Sequence, residues 1–193
     1  MFVKICGLRT PEAIEAAVAA GADALGFVFA PSPRRVTLGL ASELCRGLAS
    51  GIIRVAVMHH PTPEEWDEVR EVFAPDWLQT DNEDFDALEL EDCEPLPVFR
   101  TGSDARGDEW PKRLLFESAR SGSGETADWR EAARIATQTR LILAGGLNGE
   151  NVAAAVRAVR PWGVDVSSGV EVSRGTKDPE KIKGFIARAR AAE

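Results

Sequence analysis

Cys6 ends a short apolar run, Val3-Lys4-Ile5-Cys6-Gly7. A thiol held at a strand end, with Gly7 leaving room beside it, can act as a base or nucleophile once ionised. The same cysteine is also a good small hydrophobe, and the residue alone does not decide. Two later apolar runs end in glycines: Ala144-Gly145-Gly146-Leu147, and Asp165-Val166-Ser167-Ser168-Gly169. Glycine lets backbone N–H groups approach an anion closely, and helix N-termini favour negative charge. Gly145-Gly146 leads into a helical pattern, and a helix is expected after Ser168-Gly169 as well. Two such turns at this spacing point to a phosphate cradle, because barrel enzymes often bind phosphate after their seventh and eighth strands. Glu117 and Asp165 place carboxylates at or just after strand ends. Together these groups can do acid–base chemistry on a phosphorylated small molecule, provided the strands deliver their ends to one face.

Other polar residues carry weaker signals. Ser121-Gly122-Ser123-Gly124-Glu125-Thr126 can close over a substrate or simply link two elements. Arg34, in Ser32-Pro33-Arg34-Arg35, can hold a carboxylate or phosphate with paired hydrogen bonds, or lie idle on the surface. His59 and His60 are adjacent, so an extended strand sends them to opposite faces. With no third ligand in view, no metal site is expected. Trp66, Trp77, Trp110, Trp129 and Trp162 read as packing residues, and Cys45 and Cys93 as structural thiols.

The elements that must position these groups alternate along the chain. Strands are expected at Phe2–Cys6, Ala24–Phe29, Ile52–Met58, Trp77–Gln79, Pro97–Arg100, Arg113–Glu117, Arg140–Ala144 and Gly163–Val166. Several are continuous apolar runs, as in parallel sheets covered on both faces. Helix starts are marked by Thr10-Pro11-Glu12, by Thr62-Pro63-Glu64-Glu65 with the residues of a capping box, and by Asp178-Pro179-Glu180. Asn148 can cap a helix carrying Val152, Ala155, Val156 and Val159 on one face. Gly21 and Gly51 sit where helices should stop. About eight strand–helix units in a single domain over 1–193 predict a (β/α)₈ barrel of parallel strands. The length is slightly below the usual lower bound of about 200, so some helices must be short. The weakest stretch is 80–112, acidic and interrupted by Pro95, Pro97, Gly102 and Gly107. An open doubly wound sheet is the alternative, but Cys6-Gly7-Leu8-Arg9 is no dinucleotide fingerprint.

Composition narrows the partners. The net charge of -8 repels nucleic acid and anionic membranes on average, so an anionic substrate needs local donors. No apolar run approaches the roughly 20 residues of a membrane span, and no secretory signal is evident. Three widely spaced cysteines form neither a disulfide framework nor a zinc motif. A cytoplasmic enzyme is expected.

The ordered motifs resemble the phosphoribosylanthranilate isomerase family of tryptophan biosynthesis. They are Val3-Lys4-Ile5-Cys6-Gly7-Leu8, Gly21-Ala22-Asp23-Ala24-Leu25-Gly26-Phe27-Val28-Phe29, Ser32-Pro33-Arg34, Gly122-Ser123-Gly124-Glu125-Thr126-Ala127-Asp128-Trp129, Leu143-Ala144-Gly145-Gly146-Leu147-Asn148 and Val164-Asp165-Val166-Ser167-Ser168-Gly169-Val170-Glu171. The resemblance implies an Amadori rearrangement of N-(5-phospho-β-D-ribosyl)anthranilate to 1-(2-carboxyphenylamino)-1-deoxyribulose 5-phosphate, without a cofactor. It makes Cys6 the general base and puts Arg34 at the anthranilate end. Asp165 falls in the substrate site, and Gly122, Ser123, Gly124, Gly145, Gly146, Ser168 and Gly169 bind phosphate. The partner is a small anionic phosphosugar, with neither nucleic acid nor membrane, and the chain is a monomer or homodimer. Another phosphosugar isomerase, or a non-catalytic phosphate-binding barrel, would use the same scaffold.

Two positions depart from the family pattern. The general acid, usually aspartate, falls on Glu117, whose carboxyl reaches about 1.5 Å farther. A misplacement of about 1 Å can cost on the order of 100-fold in rate. The Gln-Leu-His-Gly that commonly ends the family's fourth strand reads Gln79-Thr80-Asp81-Asn82 here. If Asp81 lies close to Glu117, like-charge repulsion would help keep the acid protonated.

Overall fold

The computed structural model describes residues 1–103, 109–119 and 126–193. Eight parallel strands close into a barrel in sequence order: β1 (Phe2–Cys6), β2 (Ala24–Val28), β3 (Ile53–Val57), β4 (Trp77–Asp81), β5 (Glu94–Arg100), β6 (Arg113–Glu117), β7 (Arg140–Leu143) and β8 (Gly163–Val166). β8 pairs back onto β1, with Phe2, Lys4 and Ile5 opposite Gly163, Asp165 and Val166. The closed barrel excludes the open-sheet alternative.

Alternation along each strand sorts the side chains into two cores. Val3, Ile5, Leu25, Phe27, Leu78, Leu114, Phe116, Leu141 and Leu143 face outward and are buried under the helices. Ala24, Val55, Leu96, Val98, Leu115 and Ile142 fill the interior. At the N-terminal end of the barrel, Phe2 stacks between Trp77 and Trp162, with centroids at 5.4 and 4.5 Å. The Arg113 guanidinium lies 3.5 Å from the Trp77 ring centroid. These tryptophans therefore close the bottom of the barrel.

The helices start where their caps are written. Thr10 precedes α1 (Pro11–Ala19), and its hydroxyl accepts from the Ala13 N–H. Thr37 does the same for α2 (Leu38–Leu44). Thr62 and Glu65 form a reciprocal capping box on α3 (Pro63–Phe73). Asp128 caps α4 (Trp129–Ala136), and Asp178 caps α6 (Pro179–Ala191) through two backbone N–H groups each. α5 (Val152–Val159) buries Val152, Ala155, Val156 and Val159 as patterned. Asn148 caps the turn before it, accepting from Glu150 and Asn151.

Three expectations change. α2 ends at Leu44, well before Gly51, which lies in the turn into β3. β5 begins at Glu94, three residues before the expected start; pairing with β4 outweighs the strand-weakening Pro95 and Pro97. No helix follows Ser168-Gly169. The chain instead forms a hairpin, β9 (Glu171–Ser173) and β10 (Thr176–Lys177), before α6. The weak stretch after β4 holds a 3₁₀ helix, Asn82–Ala87. Among the described residues, no helix is long and apolar enough to cross a membrane.

Trp66 on α3 is fully buried and donates to the Glu89 carbonyl at 2.8 Å. Trp66→Ala should therefore cost about 3–5 kcal/mol. Urea denaturation checks this as a lowered midpoint at unchanged slope.

Candidate active site

The strand C-termini surround a cavity of about 410 Å³ lined by Cys6, Arg34, Asp81, Arg100, Glu117, Asp165 and Ser167, among others. A smaller hollow of about 60 Å³ adjoins it, lined by Glu117, Ser118, Gly145, Gly146, Asp165, Ser167 and Ser168. The fold thus gathers Cys6, Arg34, Glu117 and Asp165 in one cavity and Gly145, Gly146 and Ser168 in its annex. Gly122, Ser123 and Gly124 lie outside the described residues. A hollow of about 580 Å³ beside α2 and α3 is larger but lacks Cys6 and the strand-end carboxylates.

Cys6 and Lys4 are two residues apart on β1 and share its inner face. Lys4 is fully buried, and its ammonium donates to Asp165 Oδ1 at 2.8 Å. Burial would discharge Lys4, but the Asp165 carboxylate and the nearby Cys6 sulfur more than offset it and hold its pKa above the ordinary value. Burial pushes the Cys6 thiol up; Lys4 and Lys177 pull it down, Asp165 pushes it up, and the net shift is upward. Room for this pair comes from Gly26 on β2. A Cβ there would meet Cys6 Sγ at 3.1 Å and Lys4 Nζ at 3.2 Å. Gly7, expected to make room for Cys6, instead makes room for Arg34, whose Cδ a Gly7 Cβ would meet at 2.7 Å.

Arg34 is held by the hairpin that replaced the expected helix. Its Nε and Nη2 donate to the two Glu171 oxygens at 2.6 and 3.0 Å, a bidentate fork. Lys177 donates to Glu171 Oε1 at 2.8 Å and to the Ser167 carbonyl at 2.9 Å. Burial pushes the Glu171 carboxyl up, but Arg34, Lys177 and the Gly175 N–H hold it at about 2.

Gly145 and Gly146 have φ of +80° and +62°, which glycine adopts without strain. Asn151 donates to the Gly146 carbonyl at 2.9 Å and fixes this turn. Gly169 does not line the hollow. It packs against the neighbouring turn, where a Cβ would fall 1.9 Å from the Leu147 carbonyl oxygen. Asn148 and Gly169 pair there and join the two turns.

The N-(5'phosphoribosyl)anthranilate (PRA) isomerase family model matches residues 3–188. An N-(5'-phosphoribosyl)anthranilate isomerase from Listeria monocytogenes is 38% identical over the full length of both chains. The chain belongs to the N-(5'-phosphoribosyl)anthranilate isomerase family. The crystal structure of phosphoribosyl anthranilate isomerase from Thermus thermophilus superimposes with a TM-score of 0.86 at 34% identity, covering both chains completely. Another isomerase structure, solved in complex with reduced 1-(o-carboxyphenylamino)-1-deoxyribulose 5-phosphate, matches at TM-score 0.81 and 31% identity over 99% of each chain. The activity is that of an N-(5'-phosphoribosyl)anthranilate isomerase of tryptophan biosynthesis.

Within this isomerase barrel, Asp81 and Glu117 are linked through Arg100. Arg100 Nη1 meets Asp81 Oδ1 at 2.6 Å, and its Nε lies 3.5 Å from Glu117 Oε1. A cation therefore bridges the two carboxylates. Gln79 also lines the cavity, with its Oε1 buried and without a hydrogen-bond partner among the described residues. Such an atom costs about 1–3 kcal/mol unless water or a ligand satisfies it.

Lys4, Arg100, Gln79 and Lys177 were missed as site residues. Lys4 was detectable as a charge inside an apolar strand, two residues from Cys6. Arg100 and Lys177 carry no such mark, because strand and hairpin ends are ordinary places for basic residues. His59, His60 and Asp81 also come together at the cavity mouth, with ligand atoms within 4.8 Å of one another.

The Glu171 carboxyl predicts an acid-sensitive element. Its ordinary value is 4.5 and its folded value about 2, so it stabilises the fold above pH 4.5 and loses that effect as pH falls towards 2. The shift corresponds to at most about 3 kcal/mol before solvent screening. Urea denaturation across this window should show the parent and Glu171→Gln stabilities converging on acidification.

Proposed function

We propose that Cys6 and Glu117 are the base and acid of the Amadori rearrangement. The observation carrying this reading is that a buried thiol on β1 and a carboxyl on β6 line one cavity. β6 is reached from β1 across β8 and β7. The two groups therefore approach a bound sugar from different sides. Glu117 protonates the furanose oxygen, and the ring opens to a Schiff base. Cys6 then removes the C2 proton, giving an enolamine that tautomerises to the ketone.

The remaining groups bind and orient. The substrate phosphate occupies the hollow at Gly145, Gly146 and Ser168, with Gly169 supporting it from behind. Gly122, Ser123 and Gly124 join this subsite by sequence resemblance. Arg34, oriented by Glu171, offers its other N–H donors to the anthranilate carboxylate. Asp165 acts through Lys4, holding the ammonium beside the thiol. Lys4, Arg34 and Lys177 outnumber the Asp165 and Glu171 carboxylates they pair with, which leaves local positive charge for an anionic substrate in a chain of net charge -8. A biosynthetic role of this kind supports a cytoplasmic location.

Purified protein supplied with freshly generated substrate should consume its fluorescence. Cys6→Ala and Glu117→Gln should each lower kcat by about 100- to 10,000-fold, with much smaller changes in KM. Full turnover in either variant would remove that residue from its role.

The pH profile tests the base separately. Because the Cys6 thiol lies above its ordinary value, the C2 proton-removal step, followed after ring opening, should quicken from neutrality into the alkaline range. Lys4 and Lys177 both favour the thiolate. Lys4→Met and Lys177→Met should therefore move the rising limb to higher pH. Denaturation curves on the same samples would separate this shift from lost stability.

A further inference from the structure

Two sequence-level objections to a metal site at His59-His60 fail in the structure. β3 ends at Val57, so the histidines are not on an extended strand. His60 has φ +46°, which breaks the alternation that would part the rings. The third group arrives from the next strand. Asp81, at the end of β4, places Oδ2 3.3 Å from His60 Nε2. Its other oxygen is held by Arg100 at 2.6 Å, which fixes the carboxylate.

The His60–Asp81 spacing of 3.3 Å suits a tetrahedral ion. Metal bonds of about 2.0–2.2 Å put neighbouring ligand atoms about 3.3–3.6 Å apart. His59 brings its nitrogen within 4.8 Å of the other two ligand atoms. It is exposed and can close the remaining distance by rotating its ring. A second observation points the same way. His60 Nδ1 lies 2.8 Å from Asp84 Oδ1, and Asp84 also accepts a hydrogen bond from Thr80. A carboxylate only accepts, so Nδ1 donates to Asp84, and Nε2, which faces Asp81 Oδ2, is the nitrogen left to bind an ion in exchange for its own proton. This carboxylate–histidine arrangement is the outer support that metal-binding histidines commonly have.

We infer that His59 Nδ1 or Nε2, His60 Nε2 and Asp81 Oδ2 bind one divalent transition ion of the zinc class, with a fourth position open to water. His59 and Asp81 line the cavity that holds Cys6 and Glu117. An ion there stands at the entrance and engages the carboxylate that anchors Arg100. It acts as a reversible inhibitor site. The inhibition rests on the catalytic reading above; the binding does not.

Co²⁺ titrated into the chelator-treated full chain, followed by visible absorption and calorimetry, tests the site. One ion should bind, with a tetrahedral spectrum lacking thiolate charge transfer. His59→Ala and His60→Ala should each weaken binding more than about 100-fold, and Asp84→Asn by about 10- to 100-fold. Zn²⁺ should then inhibit the parent enzyme, with activity restored by chelator. No binding at millimolar Co²⁺, equal affinity in the histidine variants, or a thiolate signature from Cys6 would each overturn the site. Binding without inhibition would keep the site and overturn its effect on turnover.

Discussion

Lys4 and Asp165 stand opposite each other where β1 and β8 pair to close the barrel, and their side chains meet at 2.8 Å inside it. Neither charge is tolerable there alone; removing one partner of a buried pair typically costs about 3–5 kcal/mol. The register of closure and the electrostatics of the site are therefore set together. A slip of one residue would turn Lys4 and Cys6 out of the barrel and bring Val3 and Ile5 in. The same ammonium favours the Cys6 thiolate against the burial that opposes it. The chemistry at the mouth thus depends on a contact that also belongs to the fold.

The barrel interior is graded along its axis. Phe2, Trp77 and Trp162 seal the bottom, aliphatic residues fill the middle, and polar groups gather at the top. The apolar layers exclude water beneath the site, and lower local polarity strengthens each interaction above them. Positive groups sit inside a chain that is acidic overall, so the field at the mouth is local. The β9–β10 hairpin contributes to it by clamping Arg34 and Lys177 around Glu171.

The two family departures belong to one network. By the sequence resemblance, Asp81 at the end of β4 stands where the family commonly has histidine, and Glu117 on β6 where it commonly has aspartate. Arg100 lies between them on β5 and touches both. A longer acid needs its carboxyl directed, and a guanidinium anchored on Asp81 gives it a fixed reference. The same Asp81 turns its second oxygen towards His60. One carboxylate thus connects the proposed acid with the histidine pair at the entrance.

Much was legible in the chain because it is local physics. Apolar runs bounded by turns marked all eight strands, and Thr10, Thr62 and Asp178 marked helix starts through their own side-chain oxygens. Cys6, Gly145-Gly146, Asp165 and the order of the motifs were enough to point to the family. The tertiary structure decided what distance along the chain conceals. Lys4 and Asp165 are 161 residues apart, and Arg34 and Glu171 are 137 apart. No local preference encodes such pairings; they follow from the register that closes the barrel. It also decided that Ser168-Gly169 leads into a hairpin, since a serine–glycine turn suits either outcome. Finally, it brought Asp81 to the two histidines. Their spacing in sequence had argued against a site, because a third ligand on a neighbouring strand becomes a neighbour only after the sheet has formed.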